Sequence, residues 1–221
     1  MSQPHEEELR ALREEMVRTQ IEPRGVRNPL VLQALRDVPR HAFVPESAVG
    51  MAHEDRPLPI GHGQTISQPY IVAYMTEALR LRGGEKVLEI GTGFGYQAAV
   101  LSRIAAEVYT VDRVPELVDT ARSILRGLGY DNVHCRVGDG TEGWSESAPF
   151  DGIIATAAAP GVPGPLKEQL AVGGRLVMPI GEYRFGQHIV RMTKGTGGAL
   201  HEERLLDVAF VPMIGRYGWE S

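Results

Sequence analysis

One stretch constrains this chain more than any other. Val87-Leu88-Glu89-Ile90 runs directly into Gly91-Thr92-Gly93-Phe94-Gly95, and apolar residues then recur at helical spacing through Ala98, Leu101 and Ile104. A short strand, a glycine turn and a helix open a βαβ unit, which calls for a parallel sheet with helices on its faces. The alternation continues. Val108-Tyr109-Thr110-Val111-Asp112 reads as the next strand, Pro115 opens a helix, and residues 133–137 and 150–156 read as further strands. Residues 163–171 read as a short helix and 174–180 as a strand. Two strand-like runs, 187–193 and 205–211, follow with no helix between them, so an antiparallel C-terminal strand is expected. The pattern predicts one doubly wound, Rossmann-like α/β domain with a mostly parallel sheet.

The preceding residues read differently. Leu9, Leu12, Met16 and Val17 recur at helical spacing among charges, and Asn28-Pro29 places a cap residue before a proline in the first turn of a helix carrying Leu32, Leu35 and Val38. Residues 54–64 are too rich in proline and glycine for a helix or a central strand. A helix with Ile71, Val72, Met75 and Leu79 on one face follows. Residues 1–65 are therefore expected to form a helical and loop cap, and residues 66–221 the core of the same domain; the first ten or so residues read as a frayed extension.

Charge narrows the partners. With 23 basic and 28 acidic residues the net charge is −5, which argues against nucleic acid or an anionic membrane as partner. One cysteine, Cys135, excludes an internal disulfide framework and a cysteine-rich zinc site, and the seven histidines form no H-E-x-x-H pattern, so no metal is expected. No apolar run is long enough to span a bilayer, and residues 1–8 lack the layout of a signal peptide; a cytoplasmic monomer is the expectation.

Glycines at the strand–helix turn let a ligand approach the backbone, beside unpaired N–H groups at a helix N-terminus. Asp112 ends the next strand, 21 residues after Gly91, where an acidic side chain can take a ribose diol. Tyr96 stands where a dinucleotide fingerprint has its third glycine, and the turn has no P-loop lysine. Such a turn suits a ribose and a carboxylate, as in S-adenosylmethionine, better than a pyrophosphate. Gly138-Asp139-Gly140 follows the third strand, and Asp139 there could accept from an adenine amino group or simply make an Asp-Gly turn.

Residues 57–70, reading Pro-Leu-Pro-Ile-Gly-His-Gly-Gln-Thr-Ile-Ser-Gln-Pro-Tyr, complete the pattern. With Leu88–Gln97, Gly138-Asp139-Gly140, Phe150-Asp151-Gly152-Ile153-Ile154, Val38-Pro39-Arg40-His41-Ala42-Phe43-Val44 and Phe210-Val211-Pro212, they give a chain that resembles the protein-L-isoaspartate (D-aspartate) O-methyltransferase family from about Val17 to the tail. The Gln64-Thr65-Ile66-Ser67 block is specific to that family, whereas the glycine turn is shared by most class I methyltransferases. The resemblance implies methyl transfer from S-adenosylmethionine to the α-carboxylate of an L-isoaspartyl residue in a peptide or protein, whose ester then collapses to a succinimide. It implies Ser67 as the active-site residue and Thr65, Ile66 and the Val211 backbone as substrate contacts. It implies cofactor contacts at Thr65, Glu89, Gly91, Thr92, Gly93, Asp112, Arg113, Asp139 and Gly140. Phe94 departs from the small residue common at its place on the turn.

Plainer readings compete for several of these residues. Ser67 precedes Pro69 and a helix, so it could be an N-cap. His53-Glu54 and His201-Glu202 read as exposed turns, Cys135 as inert core, and Trp144 and Trp219 as packing groups. Other functions also stay open: a methyltransferase for another carboxylate, a small molecule or RNA, a nicotinamide oxidoreductase, or a binding module without chemistry.

Overall fold

The computed structural model describes residues 6–182 and 186–220. Its centre is a seven-stranded sheet built from β3 (Lys86–Ile90), β4 (Glu107–Asp112), β5 (Val133–Val137), β6 (Phe150–Ala155), β7 (Leu170–Ile180), β8 (His188–Lys194) and β9 (Leu200–Asp207). The order is β5-β4-β3-β6-β7-β8-β9. Pairings from β5 to β7 are parallel, and β8 and β9 add on antiparallel. The chain winds outward from β3 to β5 and then returns to pair β6 on the other side of β3. Strand order thus reverses beside the glycine turn, where sheets of this kind hold ligands.

Alternation along the central strand feeds two apolar layers. Val87 packs with helices α3 (Pro69–Ala78), α4 (Tyr96–Ser102) and α5 (Pro115–Gly127), whereas Leu88 and Ile90 face Phe150, α6 (Gly164–Gln169) and Met213. Over the first layer lies the cap, with α1 (Glu6–Met16) continuing through a wide turn, Val17–Ile21, and α2 (Pro29–Asp37). Asn28 caps α2 as its sequence implies, with Oδ1 accepting from the Leu30 amide at 2.9 Å.

Several expectations are corrected. In α1 the buried stripe is Leu9, Arg13 and Met16, with Leu12 42% exposed. The Arg13 guanidinium is only partly satisfied there: its Nε donates to the Arg36 carbonyl, while Nη1 is buried without a hydrogen-bond partner. Of the stretch expected to fray, residues from Glu6 onward are helical, and residues 1–5 lie outside the described residues. The stretch 54–64, neither helix nor central strand as expected, does supply part of a separate small hairpin, β1 (Leu58–Gly61) with β2 (Gln64–Ile66), whose Leu58, Ile60 and Ile66 are buried. β7 begins at Leu170, shortening the expected helix. The last strand occupies Leu200–Asp207, so His201 and Glu202 pair with Thr193 and Met192 in β9 and form no turn. His53 is also no exposed turn: it is 7% exposed, its carbonyl bound by Gln20 Nε2. Cys135, on β5, is only half-buried.

After β9 the chain crosses back over the sheet's carboxyl edge. Ala158 ties it down, donating to the Val211 carbonyl at 2.8 Å and accepting from the Met213 amide at 2.7 Å and the Trp219 indole at 3.1 Å.

Candidate active site

Two open clefts of about 340 and 470 Å³ meet at Gly91, on the carboxyl edge of β3. The first is bounded by the hairpin and the helix that follows it, with Thr65, Ile66 and Ser67 facing Glu89, Thr92 and Gly93. The second holds Asp112, Arg113 and Gly140, and its far wall is Pro212, Met213 and Ile214 of the tail. Ten of the twelve site residues singled out in the sequence, Gly91 and Gly93 among them, thereby line one continuous depression. Asp139 and Val211 are not among its lining residues.

Two close approaches explain why glycine stands at the junction. Gly91 has φ of 97°, and a Cβ there would lie 2.3 Å from Thr156 Oγ1, whose hydroxyl donates to the Gly91 carbonyl. A Cβ on Gly140 would lie 2.4 Å from Ile90 Cγ2. Both positions therefore leave backbone bare at the floor of the depression.

Glu89 is fully buried. Its Oε2 accepts from the Thr110 hydroxyl at 2.5 Å, and Thr110 Oγ1 lies 2.7 Å from Thr92 Oγ1, while Glu89 Oε1 has no partner. Burial raises its carboxyl to about 8, against the opposing Thr110 hydrogen bond. A buried acceptor with one open oxygen awaits a cationic donor. Asp112 behaves differently. Its Oδ2 accepts from the Gly93 amide at 3.0 Å and its Oδ1 from the Val114 amide at 3.1 Å, fixing the carboxylate across the turn with lone pairs left for a ligand.

Asp139 clasps the tail. Oδ1 accepts from the Thr141 amide and hydroxyl, and Oδ2 from the Arg216 amide at 2.7 Å. Partial burial alone would raise this carboxyl, but the Arg216 amide and Thr141 outweigh it and hold it below the usual carboxylate range. Its fold partners therefore compete with the adenine contact expected from the sequence.

Ser67 is not a cap. The N-cap of α3 is Gln68, with no side-chain bond, and the Ser67 hydroxyl takes no hydrogen bond among the described residues. Its carbonyl accepts from Arg40 Nη2 at 2.8 Å. The hydroxyl is left as a free donor at the mouth of the first cleft. Sequence reasoning missed Thr156, Met213 and Ile214 as parts of the depression, and quoted Gln64 and Pro212 only as members of the matching blocks without giving them a place in it; contacts across the fold bring all five there.

Comparison with known proteins agrees with this geometry. Residues 11–218 match the family model for Protein-L-isoaspartate(D-aspartate) O-methyltransferase. The chain is 56% identical over 211 residues to Protein-L-isoaspartate O-methyltransferase 1 of Rhodopseudomonas palustris (strain HaA2), covering 96% of this chain and 86% of that relative. A solved protein-L-isoaspartate O-methyltransferase superposes with a TM-score of 0.85 at 30% identity, over 93% of this chain and 67% of the other. A second, described as a putative member from Plasmodium falciparum in complex with S-adenosyl-L-homocysteine, gives 0.80 at 25% identity, over 91% and 98%.

Proposed function

The chain belongs to the protein-L-isoaspartate(D-aspartate) O-methyltransferase family, and from that premise we propose a division of labour between its two clefts. The activity is transfer of a methyl group to the α-carboxylate of L-isoaspartyl residues. When bound, S-adenosylmethionine supplies the electrophilic methyl of its sulfonium. The residues present fit that cofactor: an unpartnered buried oxygen on Glu89 suits an ammonium group, and the bare backbone at Gly91 and Gly140 admits a ligand that any side chain would exclude.

Asp112 accepts from the ribose hydroxyls, and Glu89 from the amino group; Thr92, Gly93, Arg113 and Gly140 complete the cofactor's walls. Asp139 shapes the second cleft by holding the tail. Thr65 and Ile66 bound the substrate side, and Val211, whose carbonyl is bonded to Ala158, offers the substrate backbone its N–H. The free Ser67 hydroxyl, the observation that carries this reading, donates to the incoming carboxylate and aims it at the methyl. No general base is required, because the carboxylate is already ionised at neutral pH and is itself the nucleophile. Orientation is then the main contribution of the protein, worth on the order of 7–11 kcal/mol when reacting groups are held in line.

No helix among the described residues is long and apolar enough to cross a membrane. The enzyme acts, in this reading, as a single-domain cytoplasmic monomer on damaged proteins. The test uses two peptides that differ only in isoaspartate against aspartate. Radiolabelled methyl is expected in the isoaspartyl peptide alone, with at least tenfold slower transfer in Ser67→Ala and nearly unchanged S-adenosylhomocysteine affinity. Wild-type rates in that variant remove Ser67 from the chemistry.

A further inference from the structure

Arg40 is 0% exposed and one of the largest fully buried side chains. Its Nε donates to the Ala52 carbonyl at 2.7 Å and its Nη2 to the Ser67 carbonyl at 2.8 Å, while Nη1 and the equally buried Tyr96 hydroxyl make no closer hydrogen bond and are left to each other. The guanidinium lies 4.7 Å over the Tyr96 ring, and Tyr96 opens α4 directly after the glycine turn. No carboxylate contributes to its electrostatic surroundings. Basic neighbours instead crowd the same space, with Arg40 and the buried Arg13 acting on His53. A buried cation without a counter-ion is expensive, and here two backbone carbonyls and the face of Tyr96 are what offset that cost.

The three contacts reach three different parts of the molecule. Ala52 belongs to the cap, Ser67 to the joint between hairpin and α3, and Tyr96 to the cofactor helix. Arg40 touches all three with one side chain. We infer that Arg40 is a positioning residue for methyl transfer, holding the Ser67 main chain against the cofactor turn and lending the joint an uncompensated positive charge that an incoming carboxylate balances. The inference rests on the reading of Ser67 as the group that meets the substrate.

Geometry and charge separate in two variants. Arg40→Lys keeps the charge but cannot span Ala52 and Ser67 with a planar fork. It is expected to lower kcat about tenfold while KM for an isoaspartyl peptide stays within threefold. Arg40→Met removes both, and is expected to lower kcat similarly and raise KM about tenfold. S-adenosylhomocysteine affinity, by calorimetry, stays within threefold in both. In the wild-type protein with S-adenosylhomocysteine bound, the Arg40 Nε–H resonance should shift on adding the isoaspartyl peptide and not its aspartyl twin; this measurement stands even where Arg40→Met fails to fold. Unchanged kcat and KM in Arg40→Lys, a resonance indifferent to both peptides, or a kcat loss matched by equal loss of product affinity would overturn the inference. Ser67→Ala, assayed in parallel, tells the two readings apart. A slow Ser67→Ala beside a fully active Arg40→Lys sinks the role of Arg40 alone, and a fully active Ser67→Ala sinks the reading beneath it.

Discussion

Glu89 carries one hydrogen bond and one open oxygen in a dry setting, and that asymmetry has a pH signature. With its carboxyl raised to about 8 by burial, the free protein holds a proton there at neutral pH that the unfolded chain releases near 4.5. The native state therefore binds more protons than the unfolded state across that window, and Glu89's contribution to stability falls as pH rises through it. A cationic amino group reverses the preference and expels the proton. Calorimetric titration with S-adenosylhomocysteine at pH 7, in buffers of different ionisation enthalpy, should report proton release approaching one per site, and affinity should rise from pH 6 to 8. Glu89→Gln should abolish both effects. Asp112 is a simpler case: losing a charged acceptor in Asp112→Ala should weaken S-adenosylhomocysteine binding by about 2 kcal/mol, read in the same calorimeter, with Asp112→Asn losing less. Glu89, Asp112 and Ser67 were legible in the sequence because each stands at a fixed spacing from the glycine turn or within the specific block. His53 and Arg13 were not. Their surroundings are set by Gln20, Arg36 and Arg40, which come from other segments of the chain that no local window contains.

At the scale of elements, βα alternation from β3 to β7 was readable because buried parallel strands and amphipathic helices carry different periods. The C-terminal pair was less so. The ladder between β8 and β9 shifts register between His188 and Val190, and such a slip moves strand limits without leaving a mark in hydropathy. The tail was read only through resemblance, as a substrate contact, yet it also walls the second cleft, held there by Asp139. Gly215 separates its two possible uses. A Cβ at Gly215 would lie 2.1 Å from Asp139 Oδ1, so Gly215→Ala breaks the clasp while leaving the carboxylate in place. If the clasp shapes the cleft, Gly215→Ala should weaken S-adenosylhomocysteine binding as much as Asp139→Ala does, by roughly tenfold, with a lower thermal midpoint. Loss in Asp139→Ala alone would return Asp139 to a direct contact with the adenine.

Across the whole molecule, the cap and the core are joined through a basic, buried seam. His53 there is pushed down to about 4, by burial first and then by His41, Arg13 and Arg40. Its unfolded imidazole titrates near 6.5, so the stability tied to keeping it neutral is complete above that pH and is lost as pH falls toward 4. Thermal melts should show the midpoint dropping over this range, and His53→Gln should flatten that limb. Saturating S-adenosylhomocysteine should leave the acid limb in place while widening its advantage over the free protein from pH 6.5 to 8, where Glu89 titrates. The tail adds one more consequence. Pro212, Met213 and Ile214 wall the second cleft, while exposed Arg216 lies just beyond them with its amide tied to Asp139. Whatever fills the cleft must favour the docked tail, and by reciprocity the docked tail must favour whatever fills the cleft. Trypsin supplies the readout: cleavage after Arg216 requires that segment to lift away, so product should slow the cut, and the nicked enzyme should hold its product less tightly.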